Sequence, residues 1–175
     1  MQRFSIVKGD IVKAKTDAIV NAANTSLLGG GGVDGAIHRA AGEELLEECK
    51  SLNGCERGEA KITKGYNLKA NYVIHTPGPI WRGGKWGEDE LLKNCYENSL
   101  RLAKENGLKT VAFPSISTGV YCFPVERAAK IAVNVICSFL QLDTSLEKVI
   151  MICFDEDTKE AYINAFEEYK GRDFV

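Results

Sequence analysis

Short apolar runs rich in β-branched residues alternate along the chain with segments of helical period, and this alternation constrains the fold more than any other feature. The runs fall at residues 4–7, 18–20, 61–63, 72–75, 110–113 and 148–154, and each reads as a strand. Helices are predicted from about residue 33 to 48, 88 to 106, 124 to 140 and 156 to 170. Strands alternating with helices imply an α/β fold whose sheet is largely parallel and covered on both faces. In such sheets ligands bind beyond the carboxyl ends of the strands, so the loops there are where function is to be sought.

Local chemistry supports these helices. Glu88, Asp89 and Glu90 suit the positive end of the second, Leu91, Cys95, Ser99 and Leu102 mark its expected buried stripe, and Gly107 can supply a left-handed stop. Pro124 suits the first position of the third, where a missing N–H costs nothing. In the last, Ala161, Tyr162, Ala165, Phe166 and Tyr169 share one face. At 175 residues, 45% of them hydrophobic, the chain can bury a sizeable core, and with no linker or repeat residues 1–175 read as a single domain.

Composition excludes several partners. With 22 Lys and Arg against 24 Asp and Glu the formal charge is −2, which disfavours a nucleic-acid partner. Six cysteines (Cys49, Cys55, Cys95, Cys122, Cys137 and Cys153) form no C-x-x-C pair and have no zinc-finger spacing, so they read as reduced thiols. The first residues hold no signal-peptide core, and no apolar run is long enough to span a bilayer. A cytoplasmic monomer without a membrane partner is therefore expected.

Two loops carry the chemistry. In Asn21-Ala-Ala-Asn-Thr-Ser-Leu-Leu-Gly-Gly-Gly-Gly-Val-Asp-Gly35, between a strand and a helix, consecutive glycines let the backbone approach a ligand closely. The helix N–H groups that follow can cradle an anion. Gly30-x-Gly32-x-x-Gly35 matches the dinucleotide fingerprint only weakly, since the strand does not run directly into it, and no Gly-Lys-Ser/Thr makes a Walker loop. The second loop, Ser115-Ile-Ser-Thr-Gly-Val-Tyr121, also lies between a strand and a helix, and the two can grip a diphosphate from opposite sides. Tyr121 can stack on a sugar or belong to the core.

Single residues read both ways. Asp10, in Gly9-Asp10-Ile11, can accept an adenine amine or simply form a turn. Phe154 can cover a base or join the core. Asp34 suits a helix's first turn, but beside a phosphate loop a carboxylate repels its ligand unless it has a task, such as orienting a water. Asn21 and Asn24 can hold sugar hydroxyls. His38 and His75 read as satisfied structural histidines. A Ser-His-Asp triad from Ser115 or Ser117 with His75 lacks a Gly-x-Ser-x-Gly elbow.

Together these segments resemble the macrodomain family, specifically its MacroD-type hydrolase branch. The resemblance rests on Gly9-Asp10-Ile11, Asp17-Ala-Ile-Val-Asn-Ala-Ala-Asn24, Gly29-Gly-Gly-Gly-Val-Asp-Gly-Ala-Ile-His38, Val73-Ile-His-Thr-Pro-Gly-Pro-Ile-Trp81 and Pro114-Ser-Ile-Ser-Thr-Gly-Val-Tyr121, whose order covers nearly the whole chain. It implies a three-layer α/β/α fold around a mixed six-stranded sheet, and a hydrolase that binds ADP-ribose without a cofactor or metal. Asp10 and Ile11 would meet the adenine and Phe154 would cover it. Gly30, Gly31, Gly32 and Val33, with Ser115, Ser117, Thr118, Gly119, Val120 and Tyr121, would hold the diphosphate and distal ribose. Asn24 and Asp34 fall where hydrolytic members carry their essential pair.

The implied substrates are O-acyl-ADP-ribose, as in O-acetyl-ADP-ribose deacetylases, and mono-ADP-ribosylated proteins esterified at acidic side chains. A non-catalytic ADP-ribose reader and an ADP-ribose 1″-phosphate phosphatase are the alternatives; an RNA-binding role would rest on adenine recognition alone. Val12, Lys69 and Cys122 depart from the usual pattern of Thr, Pro and Gly. Of these Cys122 bears on the second loop, because a glycine there can use φ values that cysteine resists.

Overall fold

The computed structural model describes residues 3–172. Its strands are β1 (Phe4–Lys8), β2 (Ala18–Ala23), β3 (Lys61–Lys64), β4 (Tyr72–Pro77), β5 (Thr110–Phe113) and β6 (Lys148–Cys153). Its helices are α1 (Gly32–Ala41), α2 (Glu43–Ser51), α3 (Glu88–Glu105), α4 (Val125–Leu142) and α5 (Glu156–Arg172). The strands form one mixed sheet in the order β1-β6-β5-β2-β4-β3, and among the described residues only the β3–β4 pair is antiparallel. Helices cover both sides, α1 and α2 on one face and α3, α4 and α5 on the other. No helix among the described residues is long and apolar enough to cross a membrane.

The pleat divides each central strand between two cores. β2 sends Ala18 and Val20 beneath α3–α5 and Ile19 and Ala23 beneath α1–α2; β5 does the same with Val111 and Phe113 against Ala112. A slip of one residue would exchange the two sets, so burial fixes the register. Full burial of a side chain such as Ile19 or Phe113 stabilises the fold by about 1.5–3 kcal/mol.

The structure departs from the sequence reading in places with a physical reason. The single helix predicted over 33–48 divides at Gly42, whose φ of 93° breaks it while its N–H closes on the His38 carbonyl at 3.1 Å. The stripe of α3 is turned by one residue: Leu92, Cys95, Tyr96, Ser99, Leu100 and Ala103 are buried, and Leu91 and Leu102 are not. Tyr96 sets that rotation, its ring 5.1 Å from Phe113 and its hydroxyl accepting the Ile116 N–H at 3.1 Å. Pro124 stands just outside α4 in extended backbone, as the cap. The six cysteines form no disulfide, and Cys122 alone among them is exposed.

Candidate active site

Because β1, β6, β5 and β2 are parallel neighbours, the loops that leave their carboxyl ends emerge side by side on one edge. Those loops hold Asp10, Phe154, the segment from Ser115 to Tyr121, and the segment from Asn24 to Val33. The sheet order thus brings those loops to one edge. Gly9 N–H donates to the Cys153 carbonyl at 3.0 Å and so seats Asp10 beside Phe154. Asp10 is exposed and Phe154 is 87% exposed. Asp10 does form a turn, its Oδ1 accepting the Val12 N–H at 3.1 Å, but Oδ2 is left for another donor. Ile11 is buried under α1–α2, so only its backbone is available to a ligand.

The first loop is built against a carboxylate. No side chain caps α1, leaving its first-turn N–H groups to an incoming acceptor. A Cβ on Gly30 would fall 3.1 Å from Asp34 Oδ2 and 3.4 Å from Asn24 Nδ2, so the glycine backbone lies directly on both. A Cβ on Gly35 would come 2.5 Å from the Gly30 carbonyl oxygen, which requires glycine where the loop crosses the helix. Gly31, Gly32 and Val33 continue the rim, the two glycines exposed to solvent.

Asp34 itself is 5% exposed. Asn21 Nδ2 donates to its Oδ1 at 2.9 Å, and His38 Nε2 lies 3.4 Å from the same oxygen. Burial raises the Asp34 carboxyl above its ordinary range, although the Asn21 hydrogen bond and the nearby His38 pull the other way. Asn24 is half-buried: its Nδ2 donates to the Gly29 carbonyl at 2.8 Å, while Oδ1 accepts from Ser26 N, Ser26 Oγ and Leu27 N at 3.1, 2.6 and 3.1 Å. Its oxygen is committed to the loop, and one N–H is left to face a ligand.

The second loop is braced by hydroxyls and backbone. Ser115 Oγ meets Tyr162 Oη at 2.8 Å, and Thr118 Oγ1 donates to Ser115 Oγ at 2.7 Å. Ser117 (φ 66°) and Cys122 (φ 61°) both occupy left-handed backbone, and the Ser117 hydroxyl is enclosed without a partner. Gly119 and Val120 form the tip, Val120 being 94% exposed. Tyr121 is half-buried under the Arg57 guanidinium, 5.4 Å from its ring, and its carbonyl accepts the Trp81 N–H at 2.9 Å.

Two sequence assignments change with this geometry. Asn21, read as a holder of sugar hydroxyls, is closed off from solvent and acts on Asp34 instead. Ser115, read as a ligand contact, spends its hydroxyl bracing Thr118 and Tyr162. His75 is the satisfied histidine that was expected, with Asn21 on one nitrogen and Thr63 on the other, which also removes it from any serine triad. His38 is different: its Nε2 has no hydrogen-bond partner, and its i,i+4 spacing from Asp34 is the signal that could have placed it at the site. Arg57 carried no such signal.

The sequence profile of the Macro domain matches residues 20–132. This chain belongs to the Macro domain family. A Macro domain-containing protein of Methanosarcina mazei is 62% identical to this macrodomain over 90% of the chain and 84% of its own length. The O-acetyl-ADP-ribose deacetylase 1 of Pantoea vagans is 50% identical over 93% of the chain and 98% of its own length. Among solved structures, a variant of the Oceanobacillus iheyensis macrodomain with ADPR superimposes with a TM-score of 0.91 at 45% identity, covering 95% of this macrodomain and 92% of that chain. The six-stranded mixed sheet between helices is the macrodomain fold.

Proposed function

We propose that this macrodomain binds ADP-ribose and hydrolyses its esters, both O-acyl-ADP-ribose and mono-ADP-ribose attached to acidic side chains of proteins. The observation that carries the reading is the buried Asp34 carboxylate set directly beneath the Gly30 backbone and beside Asn24. A negative group there opposes a bound diphosphate, so its use lies in chemistry rather than in grip. The deacetylase name of the Pantoea relative and the ADPR in the Oceanobacillus structure support the same reading.

In this reading the adenine lies between Asp10 and Phe154, with its exocyclic amine donating to the open Asp10 oxygen. The diphosphate spans the first-turn N–H groups of α1 and the tip of the second loop. The distal ribose then reaches Asn24 and Asp34. Asp34 orients a water and takes its proton as the oxygen attacks either the acyl carbonyl or the anomeric carbon. Attack at the acyl carbonyl breaks the acyl C–O bond, and the proton passes from Asp34 to the departing ribose oxygen. Attack at the anomeric carbon breaks the C1″–O bond, the acyl group leaves as its carboxylate, and Asp34 gives the proton to solvent. A carboxyl raised by burial is a stronger base than an ordinary aspartate, which favours this transfer near neutral pH.

Incubation with O-acetyl-ADP-ribose and with a mono-ADP-ribosylated protein, following free ADP-ribose, tests the proposal. Release from either ester supports it. Tight binding of ADP-ribose with no release from any ester would make the protein a reader.

A further inference from the structure

Behind Asp34 a row of polar side chains continues into the protein where solvent does not reach. Asn21 on β2, His75 on β4 and Thr63 on β3 are 0%, 0% and 2% exposed, all on the face beneath α1 and α2. Asn21 and His75 are directly paired in the β2–β4 register. Pairing is strongly favoured for buried polar groups, and in this row the Asn21 amide nitrogen is shared by two neighbours while its Oδ1 is enclosed without a partner.

The orientation of the Asn21 amide, whose nitrogen faces both Asp34 and His75, sets the order of the bonds that are made. Thr63 Oγ1 can donate to the Lys64 carbonyl at 3.1 Å, which leaves its lone pair to face His75 Nε2 at 2.9 Å. Because the Asn21 nitrogen faces Nδ1 at 3.1 Å and can only donate, the matching tautomer carries its proton on Nε2 and offers the Nδ1 lone pair to Asn21. Only the amide nitrogen of Asn21 can donate to that lone pair, and its second N–H goes to Asp34 Oδ1 at 2.9 Å. A flipped Asn21 would set its oxygen against the Asp34 carboxylate.

We propose that His75, backed by Thr63, is a positioning residue for Asp34: its Nε2-protonated imidazole holds the Asn21 amide so that an N–H faces the carboxylate. The catalytic consequence rests on the hydrolase reading above, whereas the orientation itself does not. Burial, with a smaller contribution from His38, lowers His75 to about 3, so the ring is neutral throughout the working range. The other titratable groups here are His38 on α1, 3.4 Å from Asp34, and Cys49 on α2, 3.8 Å from His75 Nε2. Burial pushes the Cys49 thiol up to about 11, which keeps it uncharged. Glu48, next to it, is engaged by Lys64 N and Tyr66 Oη at 3.1 and 2.6 Å.

The consequence is a specific ranking of variants. His75→Asn keeps an oxygen acceptor near the Nδ1 position, whereas His75→Leu removes it and frees Asn21 to turn. The turned amide no longer donates to Asp34, whose pKa rises further, so the acid limb of kcat moves to higher pH. At neutral pH kcat falls about tenfold or more, while KM holds. His75→Asn should restore most of the rate, and Thr63→Val should shift the limb in the same direction by less.

Nitrogen-15 NMR of the imidazole in the wild-type protein reads the tautomer directly. The expected result is an Nε2–H ring from pH 5 to 8. An Nδ1–H ring, or a His75→Leu protein with the wild-type pH profile, overturns the proposal. If His75→Leu does not fold, the wild-type tautomer and the Thr63→Val profile decide it. If the wild-type protein hydrolyses no ester, the proposed function fails, and the tautomer still decides the orientation.

Discussion

The loops that follow β2 and β5 are made of similar small and hydroxyl-bearing residues, yet they are held in different ways. The first rests on a buried carboxylate, with Gly30 lying on Asp34 and Asn24, and that carboxylate is itself held from behind by Asn21. The second rests on hydroxyls that satisfy one another (Ser115, Thr118 and Tyr162) and on two residues in left-handed backbone, Ser117 and Cys122. A carboxylate in the wall of a site can move a proton; a set of paired hydroxyls and backbone amides can only hold. The division suggests that chemistry belongs to the first loop and grip to both.

The largest effect that would sharpen this contrast comes from Asp34→Ala. Turnover of an ester substrate should fall by roughly 10²–10⁴-fold, the usual worth of general-base assistance, while ADP-ribose affinity holds or tightens. Single-turnover kinetics beside binding curves separate the two, and a loss of affinity with an unchanged rate would return Asp34 to the grip. Asp10→Ala, at the far end of the proposed ligand, should do the reverse. Affinity should drop by roughly 1.5–3 kcal/mol, the cost of a hydrogen bond to a charged group, with kcat at saturation little changed.

Gly35→Ala should destabilise the protein by about 1–3 kcal/mol, since its methyl must displace the Gly30 carbonyl. Denaturant titration would show a lower midpoint with the same slope, and an unchanged midpoint would mean the loop yields freely. The smallest effect is expected at Cys122→Gly in the second loop. Relief of a left-handed φ is worth about 1–2 kcal/mol, offset by roughly 0.5–1 kcal/mol of glycine chain entropy. The protein should become more stable by less than about 1.5 kcal/mol on those figures, with kcat unaltered; a changed kcat would extend the chemistry to the second loop.

Much of this was legible in the sequence because it is carried by local pattern. Thr110–Phe113 reads as a strand from its apolar run alone, and the glycines after Asn24 mark a close backbone approach wherever they fold. What the sequence did not carry is the environment supplied from a distance. Glu88 reads as a charge at a helix start, yet it is 2% exposed and accepts the N–H groups of Arg82, Gly84 and Trp86 at 2.9, 2.8 and 2.6 Å. Burial would raise that carboxyl, but those backbone donors outweigh it and lower it to about 2. Asn21 and His75 are 54 positions apart, and only the β2–β4 register makes them neighbours. The break at Gly42 is not legible in the sequence because a glycine inside a helical pattern can be tolerated as well as end a helix.

The claim on which the rest depends is that both loops, together with Asp10, close on one ligand. Calorimetric titration of the wild-type protein with ADP-ribose and with AMP tests it most directly. AMP keeps the adenine and one phosphate but lacks the second phosphate and distal ribose, so it should bind at least about tenfold more weakly, a difference of roughly 1.4 kcal/mol or more. Equal affinity for the two would show that the second phosphate and distal ribose gain nothing from the two loops and would contradict the site described here.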